Sequence, residues 1–291
     1  MCKLQVDALC ASLQDSNVLV QRSTLDLLLH MFPIHLCHLT QSDTVTVLTA
    51  AIGVVLRRDM SLNRRLYAWL IGTDANGVPV TVMTSGTSSV SETGSLERQD
   101  SEPNMQYFEK HSKTLLVQAV KRSLNSDMEE GDKSLKLRPF KILISLLDKP
   151  EIGSAILEDI FLDVLCCIYR ECVTKTSDQC ARPKTIQLSS QKSDDGVTAV
   201  SEVVKTANLL LGSLEPSVIW QFIGETLEST CAGVKINQHH PASESVTLLE
   251  LCAIVEFMLD KLSVVCHILS FQQLVILVFT LGNSWLFLHQ Q

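Results

Sequence analysis

Two stretches near the start of this chain share one plan. DSNVLVQRSTLDLLL begins at Asp15 and DMSLNRRLYAWLIG at Asp59, and each passes from an aspartate through a polar turn and an arginine six or seven positions on into an apolar helix. The aspartates stand 44 residues apart. That falls inside the roughly 40–47-residue period of HEAT and armadillo repeats, whose helix pairs bury their apolar stripes only by stacking on neighbours. In such a repeat the aspartate caps the second helix or its turn and meets the arginine of a neighbouring repeat, so Asp15 and Asp59 are read as structural caps.

Helical spacing continues along the chain. Val45, Leu48, Ile52, Val55 and Leu56 form one stripe, and Leu62, Leu66, Trp69 and Leu70 form the stripe of its partner. Pro33 is expected to stop one helix and Gly72 to close another. Residues 1–72 therefore read as two helix pairs. Residues 73–104 are rich in Ser, Thr and Gly without an apolar period and read as a disordered loop. Helices resume over 105–173, a second polar gap at 174–197 reads as a flexible linker, and helices return over 198–262, followed by an apolar tail at 263–291. Strand-type alternation is nowhere sustained, so the expected fold is all-α: a HEAT/armadillo-like α-solenoid of stacked helix pairs with two disordered polar insertions.

Composition sets limits on function. With 46% hydrophobic residues in 291, the chain can bury a large core. A net charge of −8 and only 5% aromatic residues argue against nucleic acid as a partner. Ten cysteines are scattered through apolar stretches without a CxxC pair, the pattern of reduced, buried thiols. The opening MCKLQVDALCASLQDSN has no apolar signal core and no Gly at position 2, so neither secretion nor myristoylation is expected.

The chemistry-bearing candidates cluster in LRRDMSLNRRLYAWLIG (56–72). Arg58, Asp59 and Asn63 echo a protein-kinase catalytic loop, but one residue is missing between Asp59 and Asn63, and no glycine-rich phosphate loop, strand lysine or DFG aspartate accompanies them. No catalytic residue and no cofactor are assigned. Arg57 and Arg58 suit the C-terminal end of one helix, where a cation favours the macrodipole by about 0.3–1 kcal/mol, and Asp59 or Ser61 suits the cap of the next. Four arginines exceed what two helix ends need. Arg57, Arg58, Arg64 and Arg65 are therefore also read as a basic patch for an acidic partner or a phosphoinositide head group. His30, His35, Cys37 and His38 offer zinc-ligating atoms, but their spacing matches no closed zinc pattern and Pro33 interrupts them. RQDS places Arg98 three positions before Ser101, marking Ser101 as a candidate phosphorylation site.

The wording of DSNVLVQRSTLDLLLHMFP and AAIGVVLRRDMSLNRRLYAWLIG resembles the N-terminal domain of the Dopey family, and the resemblance is read from the start to about residue 262. Dopey proteins are very large cytosolic scaffolds attached peripherally to Golgi and endosomal membranes. The resemblance implies a non-enzymatic scaffold or adaptor in traffic between the Golgi (trans-Golgi network) and endosomes. It further implies a giant HEAT-repeat partner related to the large Arf exchange factors, and kinesin light chain as another partner. The chain is shorter than such proteins and is read as a fragment or truncated form, its ending SFQQLVILVFTLGNSWLFLHQQ as a tail foreign to the family.

From Val264 to Leu288 there is no Asp, Glu, Lys or Arg, a length sufficient to cross a bilayer. His267, Gln272, Gln273, Asn283 and Ser284 leave only LVILVFTL as a continuous apolar run. A terminal solenoid helix is the foremost reading of this tail. A membrane anchor is the alternative, and an exposed membrane-surface or aggregation-prone tail the third.

Overall fold

The computed structural model describes residues 3–74, 77–79, 101–125, 133–180, 195–231 and 246–262. The chain divides into two compact units, residues 1–160 and 161–291, and the helices of each are taken in turn.

The first unit opens with α1 (Lys3–Leu13) and α2 (Val18–Met31), then α3 (Gln41–Ala51), which tightens into a 3-10 turn (Ile52–Arg57), and α4 (Met60–Ile71). These are two helical hairpins. α1 packs on α3 and α2 on α4, so the four helices form two layers. Leu25 and Leu28 of α2, Val47 and Leu48 of α3, and Leu62, Leu66 and Trp69 of α4 are buried between them. α2 ends at Met31, two residues before Pro33. α4 ends on Gly72, whose left-handed φ of 71° lets its N–H reach the carbonyl of Ala68. The left-handed conformation here favours glycine because a Cβ would crowd the backbone.

α5 (Ser101–Tyr107) passes through a short π-helical turn (Phe108–Ser112) into α6 (Lys113–Leu124), followed by α7 (Lys133–Leu147). α6 packs on α3, and α7 packs on α6 and on the 3-10 turn. The contacts are polar as well as apolar: the Tyr67 hydroxyl donates to the carbonyl of Ser145 (3.1 Å) and Arg122 Nη1 donates to Thr46 Oγ1 (2.7 Å). Stacking thus continues from the first two hairpins into the helices beyond the polar insertion.

α8 (Pro150–Cys180) contains the boundary between the units. In the second unit lie α9 (Asp195–Gly212), α10 (Pro216–Cys231) and α11 (Leu248–Lys261). Gly212 at the end of α9 and Pro216 at the first position of α10 set the turn between them. Phe161 meets Phe222 edge to face at 4.9 Å and Tyr169 meets Phe257 at 5.7 Å, tying α8 to α10 and to α11. A capping box begins α11: Thr247 Oγ1 accepts from the Glu250 N–H while the Glu250 carboxylate accepts from the Thr247 N–H. The fold is all-α and of the helical-repeat type.

Three sequence expectations change at their edges. α5 starts at Ser101, so Ser101 opens a helix instead of lying in the 73–104 loop, and Thr73–Asp74 with residues 77–79 make a tight turn closed by Asp74 N–H to Val78 O at 2.8 Å. The loop reading now concerns residues 80–100, which lie outside the described residues. α8 continues through 174–180, where no Gly or Pro interrupts it, and α9 begins at Asp195, so the linker reading shrinks to 181–194, also outside them. Asp15 does not cap α2. Asn17 does, its side chain accepting from Leu19 N–H (2.9 Å), because it directly precedes Val18 in extended conformation. Asp15 lies two residues too early and instead accepts from the N–H of Asn17 (2.7 Å), closing an Asx turn.

Among the described residues no helix is long and apolar enough to cross a membrane. The tail from 263, read foremost as a terminal solenoid helix with a membrane anchor as the alternative, lies outside the described residues.

Candidate functional site: the joint between the first two hairpins

The turn before α2 and the turn before α4 lie side by side, held by the Arg57 guanidinium, which donates from Nη2 to the carbonyl of Asp15 at 2.9 Å. Asp59 then caps α4. Its Oδ1 accepts from Ser61 N–H (2.8 Å), Leu62 N–H (3.1 Å) and Ser61 Oγ (2.6 Å). These donors, led by the Ser61 hydroxyl and reinforced by the charge of Arg22, hold the Asp59 carboxyl below its usual range. A depressed carboxyl stabilises the fold fully above its unfolded value and loses that contribution as pH falls through the folded one. We therefore expect the urea midpoint of the wild type to drop more between pH 7 and pH 3 than that of Asp59→Asn, which keeps a capping oxygen without the charge. Equal drops would show that the carboxylate charge contributes nothing.

The four arginines separate into two kinds. Arg65 is committed: Nε donates to Asp26 Oδ1 at 2.6 Å and Nη1 to the carbonyl of Ser61 at 3.1 Å, joining α4 to α2. Arg57 is engaged with Asp15 as described. Arg58, left-handed at φ 54°, and Arg64 on α4 are exposed, and neither guanidinium has a partner among the described residues. The expected pairing across repeats takes a different form: Arg65 reaches Asp26 and not Asp15, because the helices run parallel with Asp15 level with Arg57 and Phe32 level with Trp69, whose Nε1 donates to the Phe32 carbonyl (2.9 Å). The Arg65–Asp26 pair is partly buried, with side-chain exposures of 16% and 36%. Charge-assisted hydrogen bonds of this kind contribute about 1.5–3 kcal/mol when buried and less when solvated. Arg65→Ala is accordingly expected to cost ~1–2 kcal/mol in urea unfolding, and Arg64→Ala within about 0.5 kcal/mol of nothing.

The remaining chemistry-bearing groups are distributed differently from a catalytic or metal arrangement. Asn63 Oδ1 is buried and has no partner among the described residues, so the kinase-like echo has no open face at that residue. His30 Nδ1 lies 2.6 Å from the carbonyl of Asp26 and His38 Nδ1 2.9 Å from that of Met31, while His35 Nδ1 lies 3.0 Å from the Tyr107 hydroxyl. The Nδ1 atoms of the three histidines in the candidate zinc set are thus engaged elsewhere, and among the described residues no three His, Cys, Asp or Glu side chains are placed to hold a metal. Cys10, Cys37, Cys166, Cys167, Cys172 and Cys252 form no disulfide among the described residues. Burial pushes Cys166 and Cys167 to about 11, which keeps them protonated and poorly nucleophilic at neutral pH.

A cleft of about 230 Å³ opens beside Tyr67, Met105 and Ile152, with the Lys149 ammonium 5.2 Å above the Tyr67 ring. Burial, aided by Asp148, raises the Tyr67 hydroxyl to about 12, and its proton is already given to Ser145. It is a packing group, not an acid–base one. The contact missed by sequence reasoning is the one formed by Tyr107, which joins α5 to the turn at His35 and covers Gly72. No spacing rule links residues 72 positions apart.

A family model described as Dopey, N-terminal, matches residues 2–75, and a second, DOP1 middle TPR domain, matches 107–277. Protein DOP1B of Mus musculus is 36% identical over 282 residues, covering 89% of this chain and 12% of that protein. The Protein DOP1 homolog of Drosophila melanogaster is 32% identical over 275 residues, with 90% and 9% covered. Protein DOP1 of Saccharomyces cerevisiae is 27% identical over 230 residues, with 77% and 11% covered. No solved structure matches. The chain spans about a tenth of the length of these curated relatives.

The N-terminal match ends at 75, so the helices from 107 belong to the middle TPR model and not to the N-terminal domain expected to run to 262. The match also continues to 277, taking in the first part of the tail read as foreign. The boundary between the two family models is not a boundary of packing, since α3 of the first match lies against α6 of the second.

Proposed function

This chain belongs to the Dopey family, and we propose that it acts as a non-enzymatic scaffold in traffic between the Golgi and endosomes, peripheral on those membranes. One observation carries the scaffold reading: at the joint of the first two hairpins Arg57, Asp59 and Arg65 are engaged in capping and holding helices together, while Arg58 and Arg64 are exposed and without a partner among the described residues. Stacked helix pairs of this type work by presenting an extended face to partners. The partner proposed is a giant HEAT-repeat protein related to the large Arf exchange factors, with kinesin light chain as a further one.

The full chain, tagged and expressed in cells, is expected to co-purify with that HEAT-repeat protein and to be released from membranes by alkaline carbonate. Retention in the carbonate pellet would establish an integral protein and overturn the peripheral reading. Failure to bind the purified HEAT-repeat protein would overturn the partner. Phosphotransfer activity abolished by Asp59→Asn would overturn the non-enzymatic assignment.

A further inference from the structure

The outer face of the α2–α4 pair combines exposed apolar side chains with unpaired positive charge. Leu19, Leu27 and Met31 stand along α2, exposed by 62%, 43% and 58%, and Met60, at 82%, begins α4. Leu19 and Leu27 are two helical turns apart and Met31 is one turn further, so the ridge runs ~18 Å. The bonds from Arg57 to Asp15, from Arg65 to Asp26 and from Trp69 to Phe32 hold α2 and α4 parallel. Met60 thereby stands at the same end as Leu19, with Arg58 beside it and Arg64 one turn along. The Arg65–Asp26 pair lies at the contact between the helices. Asp26 is the one acid on either helix, and Arg65 engages it. Ser23 and His30 share the exposed side of α2, and the exposed charged side chains of the two helices are basic.

We propose that this α2–α4 face is a docking surface for an amphipathic helix of a partner protein, apolar on the side that meets Leu19, Leu27, Met31 and Met60, and carrying carboxylates that meet Arg58 and Arg64. The proposal deepens the scaffold reading above and rests on it. Two ridges of side chains on parallel helices make the kind of groove into which a third helix lays its apolar stripe, and exposed methionines adapt to such partners. Charge selects between the possible occupants. An anionic bilayer is generally held by a cluster of roughly four to eight basic residues, whereas three exposed arginines stand here, Arg57 keeping its charge because its partner is a neutral carbonyl. A protein helix needs one or two carboxylates, matched in position. The net charge of −8 for the whole chain further disfavours a bilayer.

The test uses the full chain and three probes: a fluorescein-labelled helical peptide of about 18 residues with leucines on one face and glutamates flanking them, the same peptide with every glutamate changed to lysine, and vesicles containing about one third phosphatidylserine. The glutamate peptide is expected to bind at least about tenfold more tightly than the lysine peptide, measured by fluorescence anisotropy. Leu27→Asp and, separately, Met60→Asp are expected to weaken it about tenfold or more, and Arg58→Glu/Arg64→Glu to reverse the preference between peptides. These positions are exposed, and unchanged circular dichroism would confirm that each variant folds. Equal binding of both peptides, binding indifferent to the variants, capture by vesicles in preference to peptide, or self-association that masks the face would each overturn the proposal. If the glutamate peptide fails while the HEAT-repeat protein is still retained, the docking face is wrong and the scaffold reading stands. Loss of that protein with peptide binding intact leaves the docking face standing and removes the proposed partner.

Discussion

Trp69→Ala is expected to destabilise the first unit by about 3–5 kcal/mol, the range for removing a large buried aromatic side chain. Trp69 is 2% exposed, and its Nε1–H is the donor that satisfies the carbonyl of Phe32 at the end of α2. Truncation removes both the ring that fills the space between α2 and α4 and the hydrogen bond that fixes their ends. Against a total stability of about 5–15 kcal/mol for an ordinary domain, that is a large fraction. Trp69→Phe separates the two contributions. It keeps most of the apolar volume and leaves the carbonyl without its donor, and is expected to cost ~1–3 kcal/mol. The measurement is urea unfolding followed by circular dichroism, scored on the transition of the unit that contains α4. A loss under about 1 kcal/mol for Trp69→Ala would mean that the α2–α4 contact is not a principal support of the unit.

Gly72→Ala is expected to cost about 2–4 kcal/mol, from two sources. An alanine at φ 71° loses roughly 1–2 kcal/mol to the left-handed conformation. Its Cβ would also lie 2.6–2.7 Å from the Tyr107 ring, a separation no real contact reaches, so the ring must move. Moving it breaks the interaction of the Tyr107 hydroxyl with His35, whose N–H lies 3.3 Å and Nδ1 3.0 Å from it. A double-mutant cycle distinguishes the sources: in a Tyr107→Ala background the cost of Gly72→Ala should fall to the ~1–2 kcal/mol of the backbone alone. Strict additivity of the two substitutions would show that Tyr107 does not press on Gly72.

Much of the N-terminal architecture is legible directly. The stripes Val45–Leu48–Ile52 and Leu62–Leu66–Trp69 announce helices, and Gly72 announces an end, because these signals act between residues three or four apart or at a single φ. The ends of the polar insertions are not legible, for a related reason. A run such as 174–180 is polar and still helical, since helix propensity permits it and nothing in it terminates a helix. At the turn before α2, Asp15 and Asn17 are equally good capping residues by type. Position relative to Val18, not residue chemistry, gives the cap to Asn17.

The candidate site divides along the same line. By itself the sequence determined that an aspartate and a set of arginines occupy the turn before an apolar helix, and that a repeat of helix pairs surrounds them, since periodicity and capping are local properties of a chain. Only the tertiary structure decided which arginines are free. Arg65 is committed because Asp26, 39 residues earlier, lies against it, and Arg57 because the carbonyl of Asp15 does. Arg58 and Arg64 carry the same charge on the same turn and helix but meet no such neighbour among the described residues. A guanidinium's role is set by what stands within about 3 Å of it, and that is fixed by the stacking of one hairpin on the next.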